Sequence, residues 1–172
     1  MNTARATVLG RAALIVMVTA VVQARLASNF SLLGVRPELA LAVALAAGVA
    51  GGPERGAIAG FAVGLLYDVV LETPMGLSAL VYALLAYSLG AMQVQMASHR
   101  RPGRMLFVGI GTAVGVVLWV VLGRLFDAVA PDPLDVMRVA LVAGAINAVV
   151  GLGLSRLWAW VFAPEIPARV TT

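Results

Sequence analysis

Long apolar runs separated by short polar connections fill most of the chain. Stretches such as LALAVALAAGVA and LVYALLAYSLGAM carry no charge and do not alternate between apolar and polar positions. Unbroken apolar runs of this length predict helices rather than half-buried strands. Six such segments are delimited in the sequence: Val8–Ala27, Glu38–Ala50, Gly56–Leu71, Leu77–Met96, Met105–Phe126 and Val136–Phe162.

The lengths of these segments suit a lipid bilayer. A spanning helix needs about 20 residues, with a range of roughly 17 to 25, and the first, fourth, fifth and sixth segments meet that requirement. The second and third are shorter and are separated only by GGPERG. The sequence predicts six transmembrane helices. Four spans plus a re-entrant hairpin formed by segments two and three is the alternative, and both arrangements place the termini on one side.

Composition supports the membrane interpretation. Hydrophobic residues make up 62% of the 172 residues and charged residues only 12%, whereas soluble domains are about half apolar and a quarter charged. Lipid requires every backbone polar group to be paired within the chain, so only helices and closed barrels are possible. Barrel strands would alternate in polarity. We therefore expect an all-α integral membrane protein, with residues 1–172 forming one transmembrane domain and no soluble domain.

The arginines indicate how the helices are oriented. All 12 basic residues are Arg. The arginines that set the predicted cytoplasmic side lie at the beginning of segment one, between segments two and three, between segments four and five, and in the tail: Arg5, Arg11, Arg55, Arg100, Arg101, Arg104 and Arg169. The opposite connections carry the acidic residues Glu72, Asp127, Asp132 and Asp135, with Arg36 and Arg138 as the main exceptions. The positive-inside rule then predicts cytoplasmic N- and C-termini. Single arginines between apolar runs do not form a nucleic-acid-binding patch. Trp158 and Trp160, beside Arg156, are predicted to form a cytoplasmic aromatic belt.

Glycines recur every four residues in the middle of the chain. Gly56, Gly60 and Gly64 share one face of segment three, because residues four apart are neighbours on a helix. Such a face lets a second helix approach closely. Gly111 and Gly115 repeat the pattern on segment five. Packing within the bundle and contact with a partner protein are both compatible with these stripes.

Asp68 is the most informative charged residue. It lies in AVGLLYDVVLETP, near the predicted outer end of segment three. A carboxylate within a membrane segment is costly and should face protein or water. Three roles remain open for Asp68: a hydrogen bond to a neighbouring helix end, a contact with a partner membrane protein, and a proton or ion relay.

Candidates for catalysis and cofactor binding are few. One His and no Cys leave too few of the usual ligands for zinc, and no pair of carboxylates or Ser/His/Asp set suggests an enzyme. Asn147, the only amide in segment six, is predicted to form an interhelical hydrogen bond. We expect a protein without enzymatic activity, cofactor or metal.

Residues 37–90 resemble the rod shape-determining protein MreD family. The resemblance lies in the order of elements: Pro37 and Glu38 before a short apolar helix, glycines spaced by four leading into GLLYD, a turn with Pro74 and Gly76, and a segment closing at Gly90. Segments one, five and six are similar to the family only in hydropathy.

The resemblance implies a bacterial inner-membrane subunit of the cell-wall elongation machinery. In that family the protein associates with MreC. Through MreC it is linked to MreB, to RodA and to a class B penicillin-binding protein. Gly60, Gly64, Asp68, Pro74 and Gly76 would form the family-like core, and the hypothesis is that they shape a hairpin of segments three and four that partners recognise.

A transporter component is the competing hypothesis. Substrate-binding subunits of energy-coupling-factor vitamin transporters are also small six-helix proteins rich in small residues, and Ala20 and Ala24 weakly match their docking motif. A vitamin site would need several converging polar or aromatic side chains, and the sequence offers few.

Overall fold

The computed structural model of the protein describes residues 3–29, 38–71, 75–96, 101–126 and 132–163. Over these ranges the chain forms six α-helices, as the apolar segments predict. They are α1 (Thr3–Asn29), α2 (Leu39–Gly51), α3 (Pro53–Leu71), α4 (Leu77–Met96), α5 (Arg101–Gly123) and α6 (Pro133–Phe162), with a 3₁₀ turn at Arg124–Phe126 after α5.

Several helices begin earlier than their apolar runs. α1 starts at Thr3 rather than Val8, and α3 starts at Pro53 rather than Gly56. Proline suits the first position of a helix because the missing N–H would have no partner there. α6 starts at Pro133, and the Asp132 side chain accepts a hydrogen bond from the Leu134 N–H at 2.9 Å. The starts of α3 and α6 are thus marked by proline, and that of α6 also by a capping side chain, which hydropathy does not detect.

Among the described residues, four helices are long and apolar enough to cross a membrane. The apolar windows are Arg5–Arg25, Leu77–Val94, Leu106–Gly123 and Pro133–Phe162. α2 has 13 residues and is therefore about 20 Å long at 1.5 Å per residue, against a hydrocarbon core of about 30 Å. α3 has 19 residues, but Glu54, Arg55 and Asp68 interrupt its apolar character.

The short helix α2 lies at the centre of the bundle. It packs against each of the other five α-helices. Ten consecutive residues of α2 are buried, from Ala40 to Val49. A helix that is apolar on every side is expected in an interior position, and the Ala- and Gly-rich composition of α2 lets five neighbours approach it.

The other helices pair as hairpins around α2. α3 and α4 form the most extensive contact, followed by α5 with α6. In the α5–α6 pair, a Cβ on Gly109 would lie 2.9 Å from the Gly144 carbonyl oxygen, so the two backbones touch. α1 packs mainly against α3 and has smaller contacts with α2 and α6. It is the most loosely held helix of the bundle.

One end of the bundle collects arginine and aromatic side chains; we call it the basic end. There the guanidinium of Arg11 lies 3.9 Å from the ring centroid of Trp160, and that of Arg55 lies 5.4 Å from the ring centroid of Phe162. The start of α1, the turn between α2 and α3, and the end of α6 therefore lie together.

The prediction that Trp158 belongs to an aromatic belt is wrong. Trp158 is fully buried, and its indole N–H donates to the Val43 carbonyl oxygen of α2 at 2.9 Å. Trp160 is 53% exposed. Because two residues span about 200° on a helix, the two rings point in opposite directions.

Candidate functional site

The α3–α4 hairpin is held together by backbone contact. A Cβ added to Gly60 would lie 2.6 Å from the Tyr82 carbonyl oxygen, and one added to Gly64 would lie 2.5 Å from the Ser78 carbonyl oxygen. Neither position can accept a side chain unless the α4 backbone moves. In lipid, this close packing supplies much of the energy of helix association.

The same contact continues toward the basic end. A Cβ on Gly56 would lie 2.9 Å from the Ala86 carbonyl oxygen and would also meet the backbone of Gly48. Gly90 faces the backbone of Gly52 and Pro53 in the α2–α3 turn. α2, α3 and α4 thus meet along one seam of small residues.

Asp68 binds the start of α4. Its carboxylate accepts hydrogen bonds from the N–H groups of Gly76 at 2.9 Å, Ser78 at 3.2 Å and Ala79 at 3.3 Å. The first N–H groups of a helix have no partner within the helix, and the helix dipole favours a negative charge there. Among the roles left open for Asp68, the structure shows the hydrogen bond to a neighbouring helix end.

The turn before α4 completes this arrangement. Gly76 has a φ of 92°, a left-handed conformation that glycine adopts without steric cost. That conformation directs the Gly76 N–H at Asp68. Pro74, the other predicted turn residue, lies outside the described residues.

A second helix start, that of α2, is held by two amide side chains. The Gln23 side-chain oxygen of α1 accepts from the Ala40 N–H at 3.3 Å. The Asn147 side-chain N–H of α6 donates to the Glu38 carbonyl oxygen at 3.0 Å and to the Thr112 hydroxyl at 3.3 Å. Asn147 lies halfway along α6, so α2 begins deep within the bundle. Gln23 pairs a backbone N–H that lipid would leave unpaired. Asn147 adds a second donor to the Glu38 carbonyl oxygen, which also accepts from the Ala42 N–H at 3.3 Å.

Aromatic side chains pack around the start of α4. The indole N–H of Trp119 donates to the Ser78 hydroxyl at 3.1 Å, tying α5 to the start of α4. The rings of Tyr67 and Tyr82 lie 5.7 Å apart at an angle of 58°. These contacts and the Asp68 hydrogen bonds hold α3, α4 and α5 together at the end opposite the basic end.

The glycines of α5 make a different contact from those of α3. A Cβ on Gly111 would lie within about 3 Å of the Leu45 and Leu89 side chains, and one on Gly115 would meet Leu41 and Leu85. They therefore receive leucine side chains of α2 and α4 rather than another backbone.

The structure brings together groups that the sequence treats separately. Gln23, near the end of segment one, is 2% exposed. The sequence predicted no structural contact for Trp119 or Ser78. A polar residue on the interior face of an apolar helix is the signal that could have identified Gln23. No sequence spacing pairs Trp119 with Ser78, which lie 41 positions apart.

The described part of the chain contains no group of three or more His, Cys, Asp or Glu side chains that could hold a metal. The buried polar groups instead contact helix ends and neighbouring helices. Their arrangement fixes the geometry of these helix ends.

Comparison with known proteins identifies one family. The profile described as rod shape-determining protein MreD matches residues 6–129, which is more than half of the chain. The match extends from α1 to α5, well beyond residues 37–90, so the interpretation that α1 and α5 agree only in hydropathy was too narrow. No curated protein and no solved structure matches the chain. None of these findings supports the vitamin-transporter alternative.

Proposed function

Because the chain belongs to the rod shape-determining protein MreD family, a family of membrane proteins, we propose that it is a non-enzymatic subunit of the cell-wall elongation complex. In this role it binds MreC in the bacterial inner membrane. Through MreC it is linked to MreB, RodA and a class B penicillin-binding protein. Its contribution is a fixed membrane surface, not a chemical step.

The proposed topology has six crossings, with α2 beginning below the membrane surface, and both termini in the cytoplasm. The grouping of Arg11 and Arg55 with Trp160 at the basic end supports this orientation, since arginine is enriched on the cytoplasmic side. Glu54 lies at this end and is exposed. A cysteine at position 54, in a chain without native cysteine, should react with a membrane-impermeant reagent only after the cytoplasmic side is opened. Labelling in intact cells would contradict the orientation.

The observation that carries the proposal is the closely packed α3–α4 hairpin with an exposed apolar stripe. On α4, the side chains of Leu80, Leu84, Tyr87 and Val94 are 56%, 51%, 49% and 67% exposed. Their spacings of four, three and seven residues follow the heptad repeat by which helices pack side by side. We refer to these four residues as the α4 stripe.

Two features favour the α4 stripe over the exposed face of α5 as the MreC contact. The stripe lies on a helix whose position is fixed by glycine contact and by Asp68, so little ordering is required on binding. It also contains Tyr87, and tyrosine is enriched where helices meet partners. The exposed face of α5, with Ile110, Val114 and Val117, carries aliphatic side chains alone.

Co-purification tests the proposal. The double variant Leu84→Ala with Tyr87→Ala should lower the MreC recovered with the protein by about fivefold or more, because the two contacts removed together contribute about 1 kcal/mol or more. It should also fail to restore rod shape in cells depleted of MreD. The matched control is Val114→Ala with Val117→Ala on α5. Equal MreC recovery from both double variants would exclude the α4 stripe, and absence of MreC from the unmodified protein would contradict the proposed function itself.

A further inference from the structure

A long groove runs between α1 and α3, open to the surrounding lipid. It has a volume of about 640 Å³, within the range of about 300–1,000 Å³ typical of small-molecule sites. We call it the α1–α3 groove. The buried side chains of Val16, Ala59 and Trp158 line its floor, and the exposed side chains of Leu9, Met17 and Ile58 line its rim.

Small side chains create this groove. Ala12 and Ala13 of α1 and Ala59 and Ala62 of α3 all line it. At these positions larger residues would fill the space between the helices. The cavity is therefore encoded in the sequence of both helices, and its lining is almost entirely apolar, as a hydrocarbon chain requires.

Positive charge is concentrated at one end of the groove. Arg5 and Arg55 both line it, and both belong to the basic end because α1 and α3 each begin there. Arg5 makes no hydrogen bond or ion pair with any residue that the structure describes. The N-termini of α1 and α3 also point toward this end, and helix N-termini favour anions.

The groove on the other side of α1 provides a contrast. It is smaller, about 350 Å³, and Arg11 lies at its basic end. That guanidinium donates to the Trp160 carbonyl oxygen at 3.1 Å and stacks on the Trp160 ring. Arg11 therefore ties α1 to α6, whereas Arg5 remains directed at the mouth of the α1–α3 groove.

We propose that the α1–α3 groove binds one anionic phospholipid of the cytoplasmic leaflet. Arg5 and Arg55 hold the phosphate headgroup, and an acyl chain lies along the alanines of α1 and α3. Basic pockets between transmembrane helices on the cytoplasmic side suit anionic headgroups. An anionic lipid matches both the apolar lining of the groove and the two arginines at its basic end, whereas an apolar transmembrane helix of a partner matches only the lining. The bound lipid completes the packing of α1.

Native mass spectrometry of the full chain in detergent micelles tests this proposal. With equal amounts of phosphatidylglycerol and phosphatidylcholine of the same chain length, the protein should retain one phosphatidylglycerol. The preference should be on the order of 25-fold, since each arginine near an anionic headgroup contributes roughly fivefold. Arg5→Gln with Arg55→Gln should reduce the preference to near unity. The control variant Arg138→Gln with Arg156→Gln removes the same amount of charge outside the α1–α3 groove and should leave the preference for phosphatidylglycerol unchanged.

A second pair of variants tests the apolar part of the groove without changing its charge. Ala62→Phe should block lipid retention by filling the groove, while Ala145→Phe on the exposed face of α6 should not. The proposal is overturned if the unmodified protein retains both lipids equally, or if the Arg5/Arg55 variant keeps its preference. Displacement of the phosphatidylglycerol by an equimolar polyprenyl phosphate, or a crosslink from position 58 to MreC, would also overturn the choice of occupant.

Discussion

At the scale of single residues, polar side chains inside this bundle serve the ends of other helices. Asp68 of α3 binds the start of α4, and Gln23 of α1 binds the start of α2. The unpaired N–H groups at a helix start need acceptors, and in lipid no water supplies them. The start of α4 is therefore stabilised by α3, and the start of α2 by α1.

Removing the Asp68 carboxylate should destabilise the hairpin more than removing an exposed cap. Asp68→Ala leaves three N–H groups without their acceptor, and we expect a loss of about 2–3 kcal/mol in the free energy of unfolding. Asp132→Ala removes the exposed cap of α6 and should cost about 1 kcal/mol. Unfolding of the purified protein in mild detergent measures both. Equal losses in the two variants would mean that the Asp68 hydrogen bonds contribute no more than a surface cap.

The two amides at the start of α2 should respond differently to replacement by leucine. Gln23→Leu deprives the Ala40 N–H of its acceptor, which should cost about 1–3 kcal/mol. Asn147→Leu also removes the Asn147 side-chain oxygen, a buried acceptor without a partner among the described residues, and should cost about 0.6 kcal/mol or less. The same unfolding assay measures both variants. A larger loss for Asn147→Leu than for Gln23→Leu would show that the interhelical bonds of Asn147 matter more than the pairing of Ala40.

At the scale of helices, the spacing between α3 and α4 is set by glycine. The periodicity of Gly56, Gly60 and Gly64 is visible in the sequence, and so are the approximate bounds of the six helices. The sequence left open whether these glycines pack within the bundle or against a partner. Their contacts with the Ser78, Tyr82 and Ala86 backbones place the glycines inside the hairpin, so the proposed contact with a partner requires another face of the hairpin.

Alanine substitutions should separate the effect of close backbone contact on stability from the effect of helix propensity. Gly60→Ala places a Cβ against the Tyr82 carbonyl oxygen and should cost about 1–3 kcal/mol in unfolding free energy, as overpacking does. Gly10→Ala on α1 meets no atom within 4 Å and should be neutral or stabilising by up to about 1 kcal/mol, because alanine favours helix more than glycine does. The two variants are compared by thermal unfolding in the same detergent. A neutral Gly60→Ala would show that α3 and α4 can move apart freely.

At the scale of the whole molecule, the protein is a membrane bundle of the MreD family built around a short buried helix. Apolar run length and composition are sufficient to predict a helical membrane protein. They do not predict that α2 is central, because LALAVALAAGVA suits a lipid-facing and a buried helix equally. The position of Trp158 shows the same limit: beside Arg156 it resembles an interface residue, yet its side of α6 faces α2. Long-range pairs such as Trp119 with Ser78 depend on tertiary packing and leave no local pattern.

The proposed function is tested most directly at the α4 stripe, the surface proposed to meet MreC. A photocrosslinking residue placed at Leu84 tests this contact in intact membranes, and the same residue at Val114 on α5 is the control, because both side chains are about half exposed. We predict an adduct with MreC from position 84 and none from position 114. An adduct from position 114 alone, or none from either position in cells that produce MreC, would contradict the account.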